Sequence, residues 1–219
     1  LTPADVAQEW IELLPIGQVY TAERAAYINL VNGLTPPATA RYRNPYREWI
    51  GAQIRGDVYG YVNPGDPWSA ARLAYQDASL SHTGNGIYGG MWAAALVASA
   101  FSADTPRAVV ETALRVVPPR SRLADAVRQV LAWHAEGLRW QAARENIQRS
   151  YGHYSWGHSI NNAAIVTLGL LWGDSDYLDA VGITVMSGLD TDSNAATVGS
   201  VMGVLVGTAG LPAHLIEPL

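Results

Sequence analysis

At 219 residues, with 49% hydrophobic and only 15% charged residues, the chain can bury one sizeable core and is too short for two ordinary domains. Its 14 basic residues against 19 acidic ones, a net charge of -5, exclude the broad basic face that non-specific binding to nucleic acid or an anionic membrane needs. No apolar run reaches the roughly 18 residues of a membrane helix, and the lack of cysteine excludes disulfides, thiolate metal ligands and a cysteine nucleophile, which fits a reducing, cytoplasmic compartment.

In chain order, the segment from Leu1 to Leu14 carries acids and a capping signal rather than a basic stretch and an apolar signal core, so it reads as folded structure and not as a targeting peptide. Four helix starts follow from a capping side chain placed before proline: Thr2-Pro3, Asn44-Pro45, Asp66-Pro67 and Thr105-Pro106. The side-chain oxygen accepts from the open N–H groups of the first turn, and proline fits where its missing donor costs nothing. Helical apolar spacing continues behind them at Val6, Trp10, Leu13 and Leu14, at Ala70, Leu73, Ala74 and Ala78, and at Val109, Val110, Ala113 and Leu114. Further helices are predicted over 23–31, 123–139, 161–172, 177–186 and 195–206. Little is left for strands. The small-residue stretches 86–100 and 195–210 are expected at the centre, where such side chains let backbones approach closely. The fold class predicted is all-α, an orthogonal multi-helix bundle forming one domain over residues 1–219.

The densest chemistry lies at Gly188-Leu-Asp190-Thr-Asp192-Ser193-Asn194. Two carboxylates and a hydroxyl stand where a loop enters a small-residue helix, and a hard cation such as Mg²⁺ takes oxygen ligands of this kind. Asp190 or Asp192 could instead simply cap the helix. A cap needs one oxygen, however, and two acids beside an apolar core cost desolvation unless a cation compensates.

This motif resembles the C-terminal metal motif of the ADP-ribosylglycohydrolases, the group of dinitrogenase-reductase-activating glycohydrolase and crystallin J1. Gly51-Ala-Gln-Ile-Arg55 is similar to the family's Gly-Ala-Ala-Met-Arg substrate loop, Leu80-Ser-His82 to its Leu-Thr-His segment, and His158-Ser-Ile-Asn161-Asn162 to the helix before the metal motif. The resemblance implies a hydrolase that releases ADP-ribose from a modified protein side chain or small molecule with two Mg²⁺ ions. It makes Asp190 and Asp192 the catalytic carboxylates and, with Ser193, metal ligands. It also brings Gly51, Ala52 and Gln53 to the diphosphate through backbone N–H groups, with Arg55 and His82 in the substrate site. The family's N-terminal Thr-Asp-Asp half-site and its Gly-Asp-Ala-x-Gly segment have no counterpart here, so the chain is expected to be part of a longer protein. The alternative is a non-catalytic, crystallin-like relative that binds a nucleotide or serves as a structural or interaction protein.

The aromatic loop from Tyr151 through Tyr154 and Trp156 to His158 offers planar faces for an adenine or ribosyl group, and Tyr151, Tyr154 and His158 are taken as substrate-binding candidates. His153 and His158 lack a third ligand for zinc. Gly84-Asn-Gly86-Ile-Tyr-Gly89 follows a helical pattern instead of the strand that a dinucleotide fingerprint requires. Asp57 and Asp77 could hydrogen-bond near the pocket or serve as surface groups or caps, and Asp176 reads as a cap. Serine-hydrolase and NTPase motifs are missing.

Overall fold

The structure, a computed structural model, describes residues 1–217. Its helices are α1 (Pro3–Leu13), α2 (Thr21–Val31), α3 (Ala38–Arg41), α4 (Gly51–Ile54), α5 (Asp57–Tyr61), α6 (Pro67–Ala78), α7 (Asn85–Ala100), α8 (Pro106–Ala113), α9 (Arg122–Ala135), α10 (Trp140–Tyr151), α11 (Ser159–Gly173), α12 (Tyr177–Met186), α13 (Thr191–Gly210) and α14 (Ala213–Ile216). The all-α class is as predicted. Among the described residues the sole extended pairing is an isolated antiparallel bridge between Trp49 and His158.

Three of the four cap-and-proline pairs start helices as expected: Thr2, Asp66 and Thr105 each accept a backbone N–H of the first turn. Asn44-Pro45 does not. The Asn44 side chain is buried and spent elsewhere, donating to the carbonyls of Ala40 and Ser81 and accepting from the N–H of Tyr46 at 3.1 Å. It therefore ties a turn to the end of α6, and no helix begins there. The stretch predicted as one helix over 123–139 ends at Ala135, where Gly137 (φ 75°) turns the chain into α10.

The centre also differs in part from expectation. α7 is buried along nearly its whole length, but the second central helix is α11, with every residue from Ser159 to Leu171 buried. The later turns of α13 rise to the surface, with residues 207–210 exposed and a backbone kink at Gly207. α7 packs against α4, α5, α6 and α8, and α11 against α9, α10, α12 and α13, with Trp92, Leu96, Leu123, Ile147, Ile165, Leu168 and Met202 filling the space between them. Gly60 shows why small residues are needed around α7: a Cβ there would lie 2.5 Å from Val97 Cβ and 2.6 Å from the Ala94 carbonyl. This close approach seats α5, and the α4 turn before it, firmly on the central helix.

Candidate functional site

Five segments distant in sequence meet around a cleft of about 500 Å³. Trp10 comes from α1, Tyr20 and Glu23 from the start of α2, Trp49 to Arg55 from the α4 turn, Trp156 and Gly157 from the α10–α11 loop, and Asp190 and Ser193 from the start of α13. A larger cleft of about 620 Å³ between α1, α2 and α6 contains no carboxylate, histidine or arginine in its lining. The smaller one holds the chemistry.

Asp190 occupies the N-cap position of α13, yet its carboxylate accepts no backbone N–H there. Thr2, Asp66, Thr105, Ser121 and Asp176 all cap their helices in the ordinary way. The Asp190 carboxylate instead takes a hydrogen bond from the Ser193 hydroxyl, and burial, followed by the nearby Asp192 charge, pushes its pKa above the usual carboxylate range. Capping therefore does not account for it. Leu189, just before it, holds a left-handed φ of 64°, a strained conformation for a branched side chain. Asp192 is exposed and lies outside the lining of the cleft.

The position of this helix start is fixed from α11. Asn162, wholly buried, accepts at Oδ1 from the Asp190 N–H (3.2 Å) and from Asn194 Nδ2 (2.7 Å). Its Nδ2 donates to the carbonyls of Trp156 (2.7 Å) and His158 (2.8 Å). One amide thus joins the acidic helix start to the aromatic loop. Opposite, the bridge at Trp49 brings the Ile50 N–H to the Gly157 carbonyl at 2.8 Å, and Trp49 meets Trp156 edge to face at 6.1 Å.

Arg55 forms the floor. Its Nε donates to Asp77 (2.6 Å), one terminal nitrogen to Glu23 (2.5 Å) and the other to the Ser81 hydroxyl (3.1 Å). Burial works against its charge, but Asp77 and Glu23 outweigh that and raise its pKa further. The Trp10 ring covers the guanidinium at 5.4 Å. Asp77 is therefore the buried partner of Arg55, neither a cap nor a surface group. His82 lies behind, with no exposed side-chain surface. Burial, then the Arg55 charge, depresses its pKa strongly, so it is neutral. Ser81 accepts from Arg55 and shares a hydrogen bond with His82 Nδ1 at 2.9 Å; His82 Nε2 has no hydrogen-bond partner and lies 3.9 Å from Glu23.

Among the sequence candidates, Gly51, Arg55, Asp190 and Ser193 line the cleft together. Ala52 is buried beneath it, as is Gln53, whose Oε1 has no hydrogen-bond partner. The N–H groups of Gly51, Ala52 and Gln53 form the first turn of α4 and have no partner within that helix. A carboxylate lies over this turn: a Cβ on Gly51 would fall 2.0 Å from Glu23 Oε1. His158 and Tyr154 stack on each other at 4.3 Å, and they face Glu48 and Arg122. Arg122 donates to both Glu48 (2.7 Å) and the Tyr154 hydroxyl (3.2 Å). His158 Nδ1 accepts from the Ile160 N–H, capping α11. Tyr151 and Tyr154 line a smaller cavity of about 220 Å³ that shares Trp156 with the main cleft.

Trp10, Tyr20, Glu23 and Trp49 were not singled out by sequence reasoning. Trp49 stands two residues before Gly51, so proximity alone could have found it. Glu23 is an ordinary first-turn acid in sequence, and only the tertiary fold sets it against Gly51.

For a metal ion, the helix start offers three oxygen-bearing side chains, Asp190, Asp192 and Ser193. Among the described residues no group of three or more acidic or histidine side chains is gathered to hold a metal. Asn194 adds a buried Oδ1 with no hydrogen-bond partner one residue beyond Ser193. Mg²⁺ commonly takes only one or two carboxylates and completes its shell with water and substrate oxygens. The residues present thus fit one such ion, and a second would need oxygens beyond this set.

A family model described as ADP-ribosylglycohydrolase matches residues 1–219. No curated protein and no solved structure matches the chain.

Proposed function

Because the chain belongs to the ADP-ribosylglycohydrolase family, whose members act on ADP-ribosyl linkages, we propose that the cleft at Asp190 releases ADP-ribose from a modified protein side chain or small molecule, with Mg²⁺ as cofactor. The observation that carries this reading is the Asp190 carboxylate, which gives up the capping bond its position offers and faces the cleft with Ser193. Asp190, Asp192 and Ser193 would hold the cation, which would supply Lewis-acid polarisation and orientation of ribose oxygens.

The chain's own groups do the rest. The tryptophans Trp10, Trp49 and Trp156 exclude water from one wall and present flat faces to a nucleoside. Arg55 stays charged through the working pH range, and its bond to Asp77 holds the α4 turn in place. The open N–H groups of that turn can meet diphosphate oxygens once the Glu23 carboxylate swings off Gly51; like charges oppose both in one place. Asp190, facing the cleft beside Ser193, is placed to take a proton from an attacking water.

The test is release of ADP-ribose from an ADP-ribosylated protein with Mg²⁺ and with EDTA, together with a thermal-shift titration of Mg²⁺ alone. Release should fall by about 10²-fold or more in Asp190→Asn and Asp192→Ala, as expected for loss of a group acting at the transition state. The Mg²⁺-induced rise in melting temperature should disappear in the same variants. Undiminished release in both would overturn the assignment of this cleft; no turnover by the parent chain, with ADP-ribose still bound, would leave the non-catalytic relative.

A further inference from the structure

A second cleft, of about 470 Å³, opens on the outer side of α2 and shares Tyr20 and Thr21 with the first. Its lining is different in kind. The rings of Tyr20, Tyr42 and Tyr46, exposed by 69%, 50% and 36%, stand around it with Arg24, Arg43 and the Asn32 side chain. Among the described residues neither guanidinium pairs with a carboxylate. Residues 20–47 hold four arginines and a single acid, Glu23, and that acid is turned into Arg55. A chain with net charge -5 therefore carries a positive face here.

Backbone strain marks the same place. Thr21 and Arg43, both lining this cleft, each hold a φ of 46°, in the left-handed region that β-branched and long side chains avoid. Strain of this kind persists where the surroundings impose it, and it collects at binding sites. Leu189, strained in the same sense, immediately precedes Asp190. The aromatic lining also continues from one cleft to the other: Tyr46 packs edge-on against Trp49 at 4.9 Å, and Trp49 against Trp156.

We propose that this second cleft binds a nucleoside phosphate, forming a nucleotide subsite beside the cleft of Asp190. The guanidinium forks of Arg24 and Arg43 match phosphate oxygens, and the exposed tyrosine faces stack a base whatever its identity. An acidic peptide would use the two arginines but leave the Tyr20 and Tyr46 rings without a planar partner; the Tyr42 ring already carries the Arg43 guanidinium at 5.3 Å. Binding here is independent of whether the first cleft hydrolyses its substrate.

The experiment is calorimetric titration of AMP, inorganic phosphate and a glutamate-rich peptide into the parent chain and into Arg24→Gln/Arg43→Gly. AMP should bind saturably, more tightly than phosphate, and more weakly as salt is raised. The double variant should lose at least tenfold in AMP affinity. Arg43→Gly puts glycine where φ is 46°, so the double variant should melt no lower than the parent, and its lost binding cannot be ascribed to unfolding. Unchanged AMP affinity in the double variant, no saturable AMP binding, or binding of the peptide in preference to AMP would each overturn the proposal. Failure to release ADP-ribose would refute the reading of the first cleft and leave this one intact.

Discussion

Replacing Arg55 with methionine tests whether the floor of the cleft is held by charge. The substitution keeps an unbranched apolar stem but removes three donors at once, from Asp77, Glu23 and Ser81. Asp77 has only 6% of its side chain exposed, and Glu23 16%, so both carboxylates lose their partner with little water to replace it. Breaking a buried pair costs about 3–5 kcal/mol; because the Arg55 side chain is itself 26% exposed, the lower end, about 3 kcal/mol, is the expectation. For a domain of this size that corresponds to a fall in melting temperature of about 6–12 °C. Arg55→Lys keeps the charge but not the fork and should lose about half as much. The triple variant Glu23→Gln/Arg55→Met/Asp77→Asn removes the stranded charges and should recover most of the loss. Thermal denaturation followed by circular dichroism reads all three. A loss below about 1 kcal/mol in Arg55→Met, where surface pairs fall, or a triple variant no better than the single one, would refute the claim that a buried ion network carries this floor.

Two further outcomes follow from buried groups. Asp57, hydrogen-bonded by Thr197 and Ser200, has its pKa raised by burial. The folded state therefore holds this proton at pH values where the unfolded chain has released it, and stability declines as pH rises from the ordinary carboxylate range through the raised pKa. Asp57→Asn should accordingly gain in stability relative to the parent at neutral pH and lose that advantage in acid, as denaturant titrations at pH 7 and pH 4 would show. Asn162→Leu cuts five hydrogen bonds and should cost about 2–4 kcal/mol. It should also shift the fluorescence of the exposed Trp156, whose carbonyl that amide fixes; a variant as stable as the parent would show the amide to be dispensable.

Helix class and most helix starts were legible in the sequence because they are written locally, as caps, prolines and apolar spacing. Asn44-Pro45 failed because its cap residue is claimed by distant carbonyls, and no local signal says so. The choice of α11 over the end of α13 as the second central helix is likewise tertiary: both are rich in small apolar residues, and only packing against α9, α10 and α12 decides between them. In the site, Asp190 and Ser193 were readable as a dense motif, and Gly51 and Arg55 through family resemblance. Asp77 and Glu23 were not readable as partners of Arg55, since nothing at 22 or 32 residues' separation marks them as such. His82 was noticed for its position in a motif, but its burial makes it a neutral prop behind Arg55.

The walls of the main cleft run from Trp10 to Ser193. No fragment of the chain that folds early can own it, for the first and last of these residues come together only when the central helices are packed and the bundle is closed. Closing so long a loop is entropically late. Ligand affinity at this cleft would consequently gauge complete folding: a half-folded chain lacks the assembled walls, and a ligand bound between them would clamp the two ends of the chain together. Ligand should therefore protect α1 and the start of α13 from hydrogen exchange in step with each other, although they are far apart in sequence.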